Sequence, residues 1–195
     1  MKVIFLIFAG LLLVSCGKKK VQVNLDDPDR LKVSELNLKV PENWKRVPSE
    51  KGFECVLKSQ DAIDNYNLNG VFTIKTIPAK PGQTLVAFQD KMQKIMYDKM
   101  IKDNATLSSR GIKDKVFTQN DISLGMVDIN GHETLKIFSK SLMLVQDKVN
   151  YLTKIQHVFK TDKNFYIVST NYGDEFAKEM SPIAQSFINS IVVTD

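Results

Sequence analysis

Val127-Asp128-Ile129-Asn130-Gly131-His132-Glu133 is the stretch on which the fold turns. Asn130-Gly131 is the strongest short hairpin signal, because both central residues of a type I′ turn need positive φ. The runs on either side, 123–129 and 133 to about 145, therefore read as two antiparallel strands joined by a two-residue turn. A second hairpin follows. Residues 151–160 and 165–172 are rich in β-branched and aromatic side chains, and Thr161-Asp162-Lys163-Asn164 between them has the composition of a four-residue turn. A short strand around 116–118 is expected to precede the set.

Upstream, Leu36, Leu38 and Val40 alternate with Glu35, Asn37 and Lys39, the period-two pattern of a half-buried strand, which Pro41 stops. Further strands are expected near 53–58 and 70–77, the latter closed by Pro78 and Pro81-Gly82. Thr84 is a good N-cap for a helix over about 84–102, where Leu85, Phe88, Met92, Ile95 and Met96 recur at helical spacing. Met92, Met96 and Met100 make a soft apolar stripe rather than a metal groove, since nothing else thiophilic accompanies them. Asp174 is expected to cap a closing helix with Phe176, Met180, Ile183, Phe187 and Ile188 on its buried face, kinked or restarted at Ser181-Pro182. Ile191-Val192-Val193 finishes as a short strand or packed coil. The pattern is α+β: a central antiparallel sheet with helices packed against it.

The chain opens with Lys2, an apolar run over 3–14, and Leu13-Val14-Ser15-Cys16. The run makes about 18 Å of helix at ~1.5 Å per residue, against a bilayer core of about 30 Å. It is too short to span, and its charged start and small residue before the cut mark an export signal. It resembles a bacterial lipoprotein signal peptide whose lipobox cysteine is acylated. The resemblance implies a signal over 1–15, acyl groups on Cys16 that hold the mature protein to a membrane, a tether over 16–31 and one domain over 32–195. Gly17 lacks the aspartate that retains such lipoproteins in the inner membrane of enteric bacteria, so the outer membrane is expected where the cell has one. Lys18, Lys19 and Lys20 add attraction to anionic headgroups, at about 1 kcal/mol each on a strongly anionic surface.

The formal net charge is +5, with 22 acidic residues interspersed. That is a solvated surface rather than the concentrated patch of a nucleic-acid binder. With Cys16 acylated, Cys55 has no disulfide partner and reads as a small buried thiol. His132 and His157 are the only imidazoles, and no nucleophile motif, phosphate loop or Cys-x-x-Cys accompanies them. His132 sits beside a turn and is expected to be exposed. His157 shares a strand face with Ile155 and Phe159 and reads as a partly buried, hydrogen-bonded histidine. Neither makes a zinc site, and Asp26, Asp27 and Asp29 lack the twelve-residue calcium loop. Asp61 and Asp64 are a weak carboxylate pair without a sugar-stacking tryptophan near them. No metal, cofactor or catalytic residue is expected.

Val40-Pro41-Glu42-Asn43-Trp44, the 127–133 hairpin, and 165–172 with the helix ending Ser186-Phe187 follow one another in the order seen in the PsbP/Mog1-like proteins, which include envelope lipoproteins of the DcrB type. The chain resembles them over 32–195. The resemblance implies a sheet with helices packed on it and, since members differ in function and share no catalytic motif, a binding or assembly accessory. The expected function is a non-catalytic lipid-anchored envelope protein that binds an unidentified envelope protein. The alternative is a carrier or sensor of a small apolar ligand held between sheet and helices. Loops carry binding function, and the two longest non-periodic stretches are 60–69 and 104–114. Tyr66 in the first and Arg110 in the second are of the types most often found as interface anchors, which makes them the candidate partner-binding residues.

Overall fold

The 127–133 hairpin closes as its chemistry requires. Asn130 and Gly131 take φ of 54° and 84°, the Gly131 N–H donates to Asp128 Oδ1 at 2.8 Å, and Ile129 pairs with His132 across the turn. The computed structural model describes residues 29–49, 52–60, 70–113, 116–145 and 148–194. Its strands are β1 (Arg30–Val33), β2 (Leu36–Lys39), β3 (Trp44–Val47), β4 (Cys55–Ser59), β5 (Val71–Pro78), β6 (Ile122–Ile129), β7 (His132–Val145), β8 (Lys148–Lys160), β9 (Asn164–Gly173) and β10 (Val192–Val193). The helices are α1 (Leu85–Ser109) and α2 (Ala177–Asn189), with single 3₁₀ turns at Gln119–Asp121 and Asp174–Phe176.

Seven strands form one antiparallel sheet in the order β3-β4-β5-β9-β8-β7-β6, and β1-β2-β10 form a second, smaller one. The class is α+β, with β1 and β3 additional to the expected strands. Arg30 and Leu31, assigned to the tether from the sequence, are strand residues that pair with Lys39 and Leu38.

Alternation along β8 sorts the core into two layers. Val158, with Leu135, Ile137, Phe165 and Ile167, meets α1 through Leu85 and Met96. Phe159, with Phe72, Ile74, Tyr166 and Val168, meets α2 and the small sheet through Leu36, Leu38, Phe187 and Ile188. Ile95, expected on the buried face of α1, is 45% exposed. Its place is taken farther along by Asp103 and Leu107.

α1 begins at its predicted cap, where Thr84 Oγ1 accepts from the Ala87 N–H at 3.1 Å, but it runs past 102 to Ser109. The residues that read as loop bond backwards instead. Thr106 Oγ1 donates to the Lys102 carbonyl and Ser109 Oγ to that of Thr106, Lys99 pairs with Asp103 at 2.7 Å, and Asn104 holds both backbone groups of Phe117 at 2.8 Å. That clamp keeps 116–118 out of any sheet, so the strand expected there does not form. Thr118 instead opens the 3₁₀ turn, its N–H donating to Asp121 Oδ2.

Two expectations for α2 also fail. Asp174 makes no cap because its carboxylate accepts from Thr153 Oγ1 at 2.6 Å and faces Lys140 at 3.4 Å. The helix does not restart at Ser181-Pro182 but runs unbroken from Ala177 to Asn189 with Pro182 inside it. Ser181 Oγ donates to the Ala177 carbonyl at 2.6 Å, and Pro182 removes one backbone donor near the exposed start of the helix. Past α2, Val192 and Val193 pair with Asn37 and Leu36. The two sheets are clipped together where Tyr166 and Thr161 hydroxyls donate to Glu35 Oε2 at 2.8 and 2.7 Å. Those bonds, Thr161 first, hold the Glu35 carboxyl below its usual range.

Candidate functional site

Cys16, Tyr66, Asp61 and Asp64 lie outside the described residues. Arg110 is not in mid-loop. It is the exposed C-cap of α1, its N–H donating to the Leu107 carbonyl at 3.1 Å. Lys58 pairs with Val71, so the close of β4 and the start of β5 lie at one end of the sheet. Asp103 of α1 accepts from the Leu142 N–H at 3.4 Å, beyond that same end. The residues that flank 60–69 and the C-terminal part of α1 thus lie at one end of the sheet.

Cys55 is fully buried, and burial pushes its thiol up. His132 is not free at its turn, because Nε2 lies 3.0 Å from the Lys160 carbonyl. Among the described residues no three of His, Cys, Asp and Glu gather closely enough to hold a metal ion, and no helix is long and apolar enough to cross a membrane.

A concavity lies along each flank of α2. On the β3 side a groove of about 510 Å³ runs between the helix and residues 39–44. Its base is a three-ring stack in which Trp44 lies 4.3 Å from Phe72 and Phe72 lies 4.2 Å from Phe187. Such ring pairs add about 0.5–1.5 kcal/mol beyond their area burial. Gly70 packs against Met180 and the Trp44 ring. Its φ is 118°, and a Cβ there would lie 2.3 Å from Met180 Cε and 3.1 Å from Trp44 Cη2. The turn ahead of Trp44 is set by the Trp44 N–H donating to the Pro41 carbonyl at 3.1 Å and by Asn43 at φ 62°. Val40, Pro41 and Ile183 line the groove together with Lys39, Glu42 and Ser186. A second hollow on the far side of the same turn adjoins Asp29, where the described chain begins.

On the β7–β8–β9 side lies a cavity of about 220 Å³, floored by Lys136, Ile155, His157 and Thr170 and roofed by Ser181, Ala184, Gln185 and Ile188. His157 is 4% exposed and Thr170 0%, yet His157 Nδ1 and Thr170 Oγ1 have no hydrogen-bond partner. The hydrogen bond expected of this histidine from the sequence is therefore not made at Nδ1. Each such orphan costs about 1–3 kcal/mol of desolvation. Burial first, and then the nearby Lys136 ammonium, lower the His157 pKa from 6.5 to about 4. The imidazole is neutral at pH 7.

No family model matches the sequence, and no curated protein does. Solved structures do. The chain is similar to the cyanobacterial PsbP (CyanoP) of Synechocystis sp. PCC 6803 at 13% identity, over 93% of this chain and 98% of that one, with a TM-score of 0.53. It is also similar to a protein from Bacteroides thetaiotaomicron at 15% identity and TM-score 0.46, over 83% of this chain but only 46% of that one. LpqN from Mycobacterium tuberculosis, involved in cell envelope biogenesis, matches at 10% identity, over 82% of this chain and 83% of LpqN, with a TM-score of 0.46. The protein is an α+β domain with the PsbP-type fold, as the likeness to CyanoP shows. At this identity the likeness is one of fold alone.

Proposed function

We propose that the protein is a lipid-anchored envelope protein without catalytic activity of its own, whose groove between α2 and residues 39–44 receives a protein partner at the membrane surface. The observation that carries this reading is the position of the groove. It neighbours the hollow at Asp29, and residues 17–28 between there and a lipid on Cys16 reach at most about 45 Å at ~3.3–3.6 Å per residue. Its lining of Val40, Pro41 and Ile183 among Lys39, Glu42 and Ser186 has the mixed character of a peptide-binding surface. The end of the sheet that presents Arg110 and the stretch holding Tyr66 is the second candidate surface for the same partner.

A photo-crosslinker at Ser186, in cells carrying the full chain, is expected to capture an envelope protein that the same group at Lys91 on α1 does not. Cys16→Ala should abolish the capture by releasing the protein from the membrane. A silent Ser186, together with unchanged co-purification of envelope proteins by a Tyr66→Ala/Arg110→Ala double variant, overturns the reading. Loss of capture in the double variant alone moves the partner to the Arg110 end.

The second reading, a carrier or sensor of a small ligand, draws on the cavity beneath α2. With His157 and Thr170 in its floor, that cavity does not suit a wholly apolar ligand.

A further inference from the structure

The cavity on the far flank of α2 has features that protein-partner binding leaves unused. Native interiors leave few buried polar atoms unpaired, whereas here two of them, His157 Nδ1 and Thr170 Oγ1, line a single space. They come from neighbouring strands, and Lys136, directly opposite His157 in the β7–β8 ladder, brings an ammonium group to the same floor. The remaining floor and roof are apolar at Ile155, Ala184 and Ile188.

The volume is about 220 Å³, larger than the ~150 Å³ void that accommodates benzene. It has room for about six to nine non-hydrogen atoms. A cation is disfavoured by Lys136. Water would satisfy the polar atoms but leave the apolar walls without a match. A group that accepts several hydrogen bonds and carries negative charge suits the ammonium, an Nδ1–H and a hydroxyl together. Because His157 stays neutral, its Nδ1 can carry a proton to donate without adding repulsion against Lys136. Ser181 and Gln185 are the exposed members of the roof, so the way in lies along their side of the helix.

We propose that this cavity binds a small aliphatic monocarboxylate, its head held by Lys136, His157 Nδ1 and Thr170 Oγ1 and its hydrocarbon against Ile155, Ala184 and Ile188. The inference is independent of the partner reading, and its test involves no partner. Pentanoate is the probe, with 1-pentanol as the uncharged control, added to the full-length protein in detergent with its histidine rings isotopically labelled. Only two histidines are present, so His132 serves as the internal reference. Pentanoate is expected to shift the His157 ring resonances saturably and leave those of His132 in place. Thr170→Val and Lys136→Met should each weaken binding by about tenfold or more. Ala184→Leu, which fills the space, should abolish it while the His132 signals confirm an intact fold. The proposal is overturned if His157 does not respond to pentanoate, if pentanol binds as well as pentanoate, or if Lys136→Met leaves the affinity unchanged.

Discussion

The two flanks of α2 rest on the same face of the same sheet and are built in opposite ways. Toward β3 and β5 the helix presents Met180 and Phe187, and the Trp44–Phe72–Phe187 stack packs the layer between helix and sheet beneath the surface groove. Toward β7, β8 and β9 it presents Ser181, Ala184 and Gln185 over Lys136, His157 and Thr170. The bulky side chains set how far the helix stands from the sheet. The small ones on the other flank then leave a gap beneath them. One helix thus rests on a stacked aromatic layer along one edge and over a gap lined by polar side chains along the other.

That contrast breaks most sharply at Phe187. Phe187→Ala should cost about 3–5 kcal/mol, and Lys178→Ala, at an exposed position of the same helix, about 0.5 or less. Equal denaturant midpoints for the two variants would mean that the filled flank does not hold the helix down.

Acid probes the other flank. The unfolded chain takes up a proton on His157 near pH 6.5, the folded protein only near 4. Protonation therefore favours unfolding. The contribution is fully present above about pH 6.5 and is lost as pH falls toward 4, amounting to ~3 kcal/mol at ~1.4 kcal/mol per pH unit. His157→Gln should flatten that slope. Glu35 acts lower down. Its lowered carboxyl stabilises the fold above the ordinary carboxylate value of 4.5 and stops doing so as pH falls through its folded pKa. A loss confined to pH below 4.5 would trace the acid sensitivity to Glu35 and not to His157.

Gly70→Ala should cost about 1–3 kcal/mol, since the added methyl group meets Met180 at a φ of 118°. Thr170→Val has the smallest effect and the opposite sign, a gain of up to ~1 kcal/mol from removing an unpaired buried hydroxyl. A loss of stability there would show that the hydroxyl is paired.

The sheet's long hairpins were legible in the sequence because their turns are local chemistry: Asn130-Gly131 forms the same turn whatever surrounds it. β1 and β3 were not. β1 follows the charged run read as a tether and β3 the Pro41 turn, and each is a strand because β2 or β4 lies beside it. The last two turns of α1 were misread for a different reason. Asn104, Thr106 and Ser109 are loop-forming residues by composition, and only their partners in the fold turn them back onto the helix and Phe117. At the site, the face of β8 that carries His157 followed from alternation. Its missing hydrogen bond did not, because that depends on Ala184 arriving above it from a helix that begins 20 residues later in the chain.

The short pairing of β10 with β2 has a consequence in time. The Thr194 N–H donates to the Glu35 carbonyl across 159 residues, and Leu36 and Leu38, fully buried in the finished molecule, sit on the strand that waits for that contact. At about 5–20 residues per second of synthesis, β2 is made some 8 to 30 s before β10. During that interval one of its edges is unpaired and its leucines lack their cover. A chain whose early strands are completed only by a late segment cannot close its fold until its synthesis is nearly over.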